Sequence, residues 1–391
     1  MSRLLIARSP DLQQLRNEGY DLEVRGGYLL IKDVPYVNTA REIKRGILIS
    51  TLELNGDQTV RPSNHVAMWT GEHPCHQDGR IIAAFTNPSQ GQNLGNDIRA
   101  DFTFSAKAAY RDYHHKMTTY IGRITGEARV IDPAVTANTF PVIAAEEDES
   151  VFRYLDTATS RVGIGALNER LSSQKIAIVG LGGTGSYVLD LVAKSCVKEI
   201  HLFDGDIFSQ HNAFRSPGAA SIEELQAKPL KVTYLAGRYG KMRRGIHAHE
   251  VFADGDTAVL REMDFVFLCL DRGAVKKATV NSLVDWRIPF VDVGMGILRA
   301  QDSLTGLMRV TCFVPGAESA VLGRIDYSDG DLPENEYSTN IQIAELNALN
   351  AALAVLQWKK LHRIYRDSSR ATSFSYSIAA NEMVNDEEGA A

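Results

Sequence analysis

Cysteine is scarce in this chain. Cys75, Cys196, Cys269 and Cys312 stand far apart and form no CxxC pair, so neither a disulfide framework nor a four-thiolate zinc site is indicated, and a reducing compartment is the expected setting. There is no run of about 20 apolar residues of the kind that crosses a membrane. No N-terminal basic stretch leads into an apolar segment with a small-residue cleavage site. The expected location is the cytosol, without a membrane partner. A long basic run is also missing: 42 Lys and Arg stand against 48 Asp and Glu, a formal charge of -6. Nothing here is suited to neutralising a nucleic-acid backbone, and nucleic acid is not the expected partner. No internal repeat or low-complexity tract is visible.

What is present is ordinary globular material, 44% hydrophobic and 23% charged over 391 residues, enough for two domains. The acidic run Glu146, Glu147, Asp148, Glu149 reads as a solvated linker, which sets the expected domains at 1–148 and 149–391. Before it, short β-rich runs such as GGYLLI, GILISTLEL and HVAMWTG precede a helix expected around SAKAAYRDYHHKMTTYIGRI, the mark of an α+β unit. On that helix Tyr, His and Lys are expected to form a solvated or interdomain face. After it, strands KIAIVG, EIHLFD, DFVFLCLD and IPFVDVG alternate with helices. The strands lack clean alternation of apolar and polar residues, as in a parallel, doubly wound sheet covered on both faces. Farther on, GLMRVTCFVPG reads as an antiparallel strand. A long Ala- and Leu-rich helix follows, whose stripe Ile343, Leu346, Leu349, Leu353 and Leu356 is expected in the core.

Lys175–Asp190, KIAIVGLGGTGSYVLD, is a strand running through glycines into a helix. Gly180, Gly182, Gly183 and Gly185 satisfy GxGxxG in the context that lets backbone approach an anion, with helix N-terminal amides facing it. Asp204, ending the next strand, suits ribose hydroxyls. The pattern alone does not choose between a nicotinamide dinucleotide and ATP. The residues that follow favour ATP: Arg215 and Lys231 can neutralise charge on an α-phosphate and a departing pyrophosphate, and Asp271 can hold Mg²⁺.

The stretch VGLGGTGSYVLDLVAKSCVKEIHLFDGDIFSQHNAFR resembles the adenylation domain of the ThiF/MoeB and ubiquitin-activating-enzyme superfamily, a likeness extending over roughly residues 155–360. The resemblance implies a Rossmann-like fold and an ATP loop at Gly180, Gly182, Gly183 and Gly185. It further implies that Asp204 binds the ribose with Asp206 beside it, that Asn212 and Arg215 contact the nucleotide, that Lys231 is catalytic and that Asp271 binds Mg²⁺. Lys228 is a spacing rival to Lys231. Arg161 is similar to the Arg that the family's dimers supply to the partner's site, so a homodimer is implied. Phe214 and Arg272 depart from the family's polar residues, and its zinc-binding CxxC pairs are absent.

A thioester-forming member needs an exposed, activated thiol. Cys196, Cys269 and Cys312 fall in packed contexts, and the loop DYSDGDLPENEYSTN has no cysteine. Cys75 in GEHPCHQDG remains, between His73 and His76, and two readings stay open: a nucleophile, or a turn with incidental side chains. A metal site there lacks a fourth ligand. EHPCHQDG also resembles the His-Pro-Asn turn of ubiquitin-conjugating enzymes, without the cysteine that normally follows. The sequence thus points to ATP- and Mg²⁺-dependent adenylation of the C-terminal carboxylate of a small ubiquitin-like or sulfur-carrier protein, with a partner-recognising or conjugating-enzyme-like first domain. A nicotinamide-dependent oxidoreductase and a non-catalytic nucleotide-binding module are the alternatives.

Overall fold

The computed structural model describes residues 2–83, 86–87, 91–147, 150–328 and 341–386. Two compact units form, residues 1–143 with 160–162, and residues 144–159 with 163–391. The boundary expected at 148/149 lies outside the described residues.

The first unit is α+β. Helices α1 (Ser2–Arg8) and α2 (Pro10–Asn17) precede strands β1 (Leu22–Arg25), β2 (Tyr28–Val37), β3 (Ile43–Thr51), β4 (Val66–Thr70), β5 (Thr86–Asn87) and β6 (Phe102–Ser105), and helix α3 (Tyr113–Ile131) follows. The strands make one antiparallel sheet in the order β1-β2-β3-β4-β6-β5. Its apolar face, with Leu29, Ile31, Leu48 and Trp69, shares a core with Met117, Ile121 and Ile124 of α3.

Helix α3 begins at Tyr113, later than the sequence suggests, because Asp112 caps it. The Asp112 carboxylate accepts the His115 N–H at 2.7 Å, satisfying one of the donors that a helix start leaves open. Asp11, from α2, accepts the Tyr113 N–H at 3.0 Å. The face expected to be solvated is instead partly core: Tyr113, Lys116 and Tyr120 are all fully buried. The Lys116 ammonium reaches the Asn64 side-chain oxygen at 3.4 Å.

The second unit is the expected doubly wound α/β fold. Its elements are β7 (Lys175–Val179), α4 (Gly183–Ala193), β8 (Glu199–Phe203), α5 (Lys231–Tyr239), β9 (Ile246–His249), β10 (Phe265–Leu268), α6 (Gly273–Asp285), β11 (Phe290–Ala300), β12 (Ser303–Phe313), α7 (Ala344–Leu361), β13 (Ser373–Ser377) and β14 (Glu382–Asp386). The sheet runs β9-β8-β7-β10-β11-β12-β13-β14. Strands β9 to β11 in that order are parallel, and the remainder antiparallel. β11 joins the two regimes. It pairs with β10 only from Phe290 to Asp292 but with β12 along its whole length, carrying an arm on which Leu298 and Leu307 are exposed.

Residues of β7 and β10 are buried on both faces, the burial that their unbroken apolar runs imply. The leucine stripe of α7 is corrected by the structure. Leu349 and Leu356 are 37% and 40% exposed, whereas Asn347, Asn350, Ala351, Ala354 and Trp358 are buried. Helix α7 lies close against α4, where Thr184 donates to the Asn347 side chain at 2.9 Å. Close approach selects small residues for that contact, so Leu349 and Leu356 turn outward, while Leu353 stays in the core as expected. Among the described residues, no helix is long and apolar enough to cross a membrane.

Burial lowers Lys116 from the usual 10.5 to about 8, with Glu53 pulling weakly the other way. Between these values the unfolded chain binds more protons than the folded one, so stability rises as pH climbs from 8 to 10.5, and the cost is fully present below pH 8. Lys116→Met is therefore expected to raise stability at pH 7 by about 2–3 kcal/mol. The gain should shrink toward pH 10.5 in urea unfolding followed at both pH values.

Candidate active site

The glycine turn between β7 and α4 is shaped by contacts that admit no side chain. Gly180 has φ +86°, and a Cβ there would stand 2.5 Å from the Cys269 carbonyl oxygen. A Cβ on Gly185 would fall on the Gly180 carbonyl oxygen. These glycines let α4 start directly over the end of the sheet. Gly182 occupies the N-cap and supplies no side-chain bond, so the first N–H groups of the helix are left to face the space above.

That space is a cavity of about 1010 Å³, and it brings together Gly180, Gly182, Gly183, Gly185, Asp204, Asp206, Asn212, Arg215, Lys231 and Asp271. Asp204 is 5% exposed and crowded with donors. It accepts the Leu181 N–H at 2.7 Å, the Asp206 N–H at 2.9 Å and the Lys231 ammonium at 3.4 Å. Lys231, itself buried, also donates to Asp206 at 2.7 Å. Any ribose that reaches Asp204 must therefore share it with these donors, whereas the Asp206 carboxylate is more than half exposed. The Lys228 rival is exposed and does not line the cavity.

Asn212 is buried, and its oxygen accepts the Ser209 N–H at 2.9 Å and the Ser209 hydroxyl at 2.8 Å, closing a capping box. Its visible task is to hold the helical turn Gln210–Ala213. Arg215, two residues beyond that turn, has a buried Nε with no hydrogen-bond partner among the described residues. Such a donor is costly unless an acceptor arrives. Asp271 is exposed just past the end of β10. Arg272 lies over the Phe252 ring, 5.4 Å from its centroid, and Phe214 is 80% exposed.

Residues 157–326 match the ThiF family. They form a ThiF family domain. Residues 10–157 match a family described as "Domain of unknown function (DUF6791)". Ubiquitin-like modifier-activating enzyme 5 of Aedes aegypti is 27% identical over 81 residues, 20% of this chain and 20% of that one. The crystal structure of E. coli MccB with ATP is 17% identical, covering 57% of this chain and 66% of that chain at a TM-score of 0.44. That of selenomethionine PaaA is 16% identical, covering 69% and 82% at a TM-score of 0.47. The chain thus spans a fifth of the length of the Aedes relative and 66% of MccB in its ATP complex.

Two predicted residues, Cys75 and Arg161, fall in the first compact unit, although Arg161 also lies near the start of the stretch that matches the ThiF family. The Arg161 guanidinium sits over the Phe140 ring, 5.4 Å from its centroid. Cys75 is fully buried, its thiol donates to the His73 carbonyl at 3.2 Å, and burial pushes it above the ordinary thiol range. His76 is paired with Glu127 at 2.8 Å. The thiol is thus packed inside a turn in this structure. Burial also raises Cys196 to about 11 and Cys312 to about 12, and Cys269 is raised likewise. Most of the cysteine-free loop 326–340 lies outside the described residues.

Sequence reasoning missed an ion pair that underlies the cavity of the ThiF domain. Lys276 in α6 and Asp292 in β11 meet at 3.0 Å with side chains 7% and 0% exposed. Burial pushes the Asp292 carboxyl up, and Lys276 pulls it back. Arg309, whose Nε is buried without a partner, lines the same cavity. The one signal in the sequence was a lone acid inside the apolar strand IPFVDVG.

Asp204→Ala is expected to cost about 2–4 kcal/mol, because it leaves two buried backbone donors unpaired and the Lys231 ammonium held by Asp206 alone. Asp206→Ala, which removes an exposed partner, should cost no more than about 1 kcal/mol. Urea midpoints of the two variants check this order.

Proposed function

We propose that the ThiF domain binds ATP and adenylates a carboxylate, releasing pyrophosphate. The observation that carries this reading is an uncapped helix start above a glycine turn, with the unpartnered Arg215 and the buried Lys231 in the same cavity. The cavity fits a triphosphate in its chemistry: backbone amides at a cradle that side chains would fill, plus two cations. Such donors favour charge that moves onto phosphate oxygens in the transition state. A hydride-transferring dinucleotide has no equivalent use for both cations.

In the proposed step, a carboxylate oxygen attacks the α-phosphorus in line. The bond to the bridging oxygen breaks, and its electron pair leaves with pyrophosphate. The products are an acyl adenylate and pyrophosphate, and no general base is needed because the nucleophile is already an anion. Arg215 and Lys231 stabilise the developing charge. Lys231 must leave part of its hold on Asp204 and Asp206 to do so. Asp271, exposed beside the glycine turn, would hold Mg²⁺, which supplies charge neutralisation on the phosphates. Asp206, or Asp204 once Lys231 turns away, takes the ribose.

The substrate class we assign is the C-terminal tail of a small ubiquitin-like or sulfur-carrier protein. The first unit would recognise that partner, and a homodimer would bring Arg161 to the neighbouring site. Four free thiols suit the reducing cytosol. Cys75 and Cys312 are buried and Cys196 and Cys269 half-buried, and burial raises all four thiols, so we end the proposed reaction at the adenylate.

ATP–pyrophosphate exchange tests the reading, with carrier proteins ending in Gly-Gly and a short peptide as probes. Exchange is expected to fall on the order of 10²- to 10³-fold in Arg215→Ala and Lys231→Ala, to need Mg²⁺ and to be lost in Asp271→Ala. Exchange that survives all three substitutions overturns the mechanism. Reduction of a nicotinamide cofactor by the chain overturns the reaction class.

A further inference from the structure

The sheet edge remote from the antiparallel arm carries a histidine ladder that the proposed adenylation does not use. Glu199 and His201 alternate along β8, and His247 and His249 along β9. The parallel register sets His201 beside His247 and Phe203 beside His249, so all these side chains share one face of the sheet. The His201 ring stacks on His247 at 4.6 Å and on His249 at 5.2 Å. Phe203 closes the row against His249 at 4.3 Å.

We propose that Glu199, His201 and His247 form a binding site for a divalent transition-metal ion, of which Zn²⁺ is the type, with His249 as a positioning residue. Their ligand atoms lie within 4.8 Å of one another. His201 Nε2 and Glu199 Oε2 stand 3.3 Å apart, the separation of adjacent ligands about a tetrahedral ion with bonds of about 2.0–2.1 Å. His201 Nδ1 is 3.0 Å from His249 Nε2. With Nε2 given to the metal, Nδ1 carries the hydrogen and donates it to His249, which fixes the ring's tautomer and orientation. The His201 side chain is only 12% exposed, while His247 reaches solvent, leaving the open position to water. Imidazole with one carboxylate suits Zn²⁺, Cu²⁺ or Ni²⁺ and is a poor match for Mg²⁺ or Ca²⁺.

Two lysines compete for the same carboxylate. Lys175 Nζ lies 3.3 Å from Glu199 Oε2, and Lys198 Nζ lies 3.9 Å from Oε1. Both side chains are partly exposed, so a bound ion can replace the ammonium at Glu199 and release Lys175 to solvent. The metal would then pin the edge strand β9 to β8, whose far end delivers Asp204 to the cavity.

Calorimetric titration of the full chain with Zn²⁺ alone tests the site, with Co²⁺ absorption reporting the coordination geometry. Wild type is expected to bind one Zn²⁺ with a raised Tm. His247→Ala, at an exposed position that leaves the core intact, should weaken binding tenfold or more. His249→Ala should weaken it by roughly 10- to 100-fold. Lys175→Met should strengthen it by removing the competing charge. The site is overturned if wild type does not bind Zn²⁺, if His247→Ala binds as wild type does, or if binding vanishes only when the thiols are blocked.

Discussion

The carboxylate of Asp204 ends strand β8 at the point where the glycine turn, the loop toward Asp206 and helix α5 converge. One oxygen takes the Leu181 amide and the other the Asp206 amide, while the Lys231 ammonium spans both. Little water reaches the group, so each donor is held more strongly than it would be at the surface. A buried ion pair is weak evidence for stability, yet it constrains geometry tightly, because every alternative arrangement leaves a charge or an amide without a partner. The glycine turn and Lys231, about fifty residues apart in the chain, are thereby held by a single side chain.

The parts of this arrangement that were legible in the sequence are those fixed by short-range rules. Unbroken apolar runs such as KIAIV and FVFL announce strands covered on both faces. Gly180 and Gly185 announce backbone contacts that exclude a Cβ. The spacing from Asp204 through Asn212 and Arg215 to Lys231 carries residues to one end of a parallel sheet, and the structure collects them around one cavity.

What was not legible depends on partners distant in the chain. Lys116 reads as a surface residue by its charge, although Tyr113 and Tyr120 share its side of the helix, and the packing of α3 buries it. Leu349 and Leu356 of α7 look like core residues, but close contact with α4 gives that place to Asn347, Ala351 and Ala354. Cys75 looks activated between two histidines, until its backbone bridges to Val37 and Ile81 and draws the thiol inside. The Lys276–Asp292 pair joins a helix to a strand that no local pattern connects. In each case the local signal was sound for an isolated segment and was overruled by tertiary packing.

Strand β11 is one piece of backbone in two mechanical settings. Its first three paired residues are clamped between β10 and β12, while its last residues, through Ala300, are held on one side only, by β12. A load applied to the outer arm is therefore carried along the β11–β12 ladder in shear toward Asp292, where the clamp begins. The wall of the cavity and the arm beside it thus come from the same eleven-residue strand.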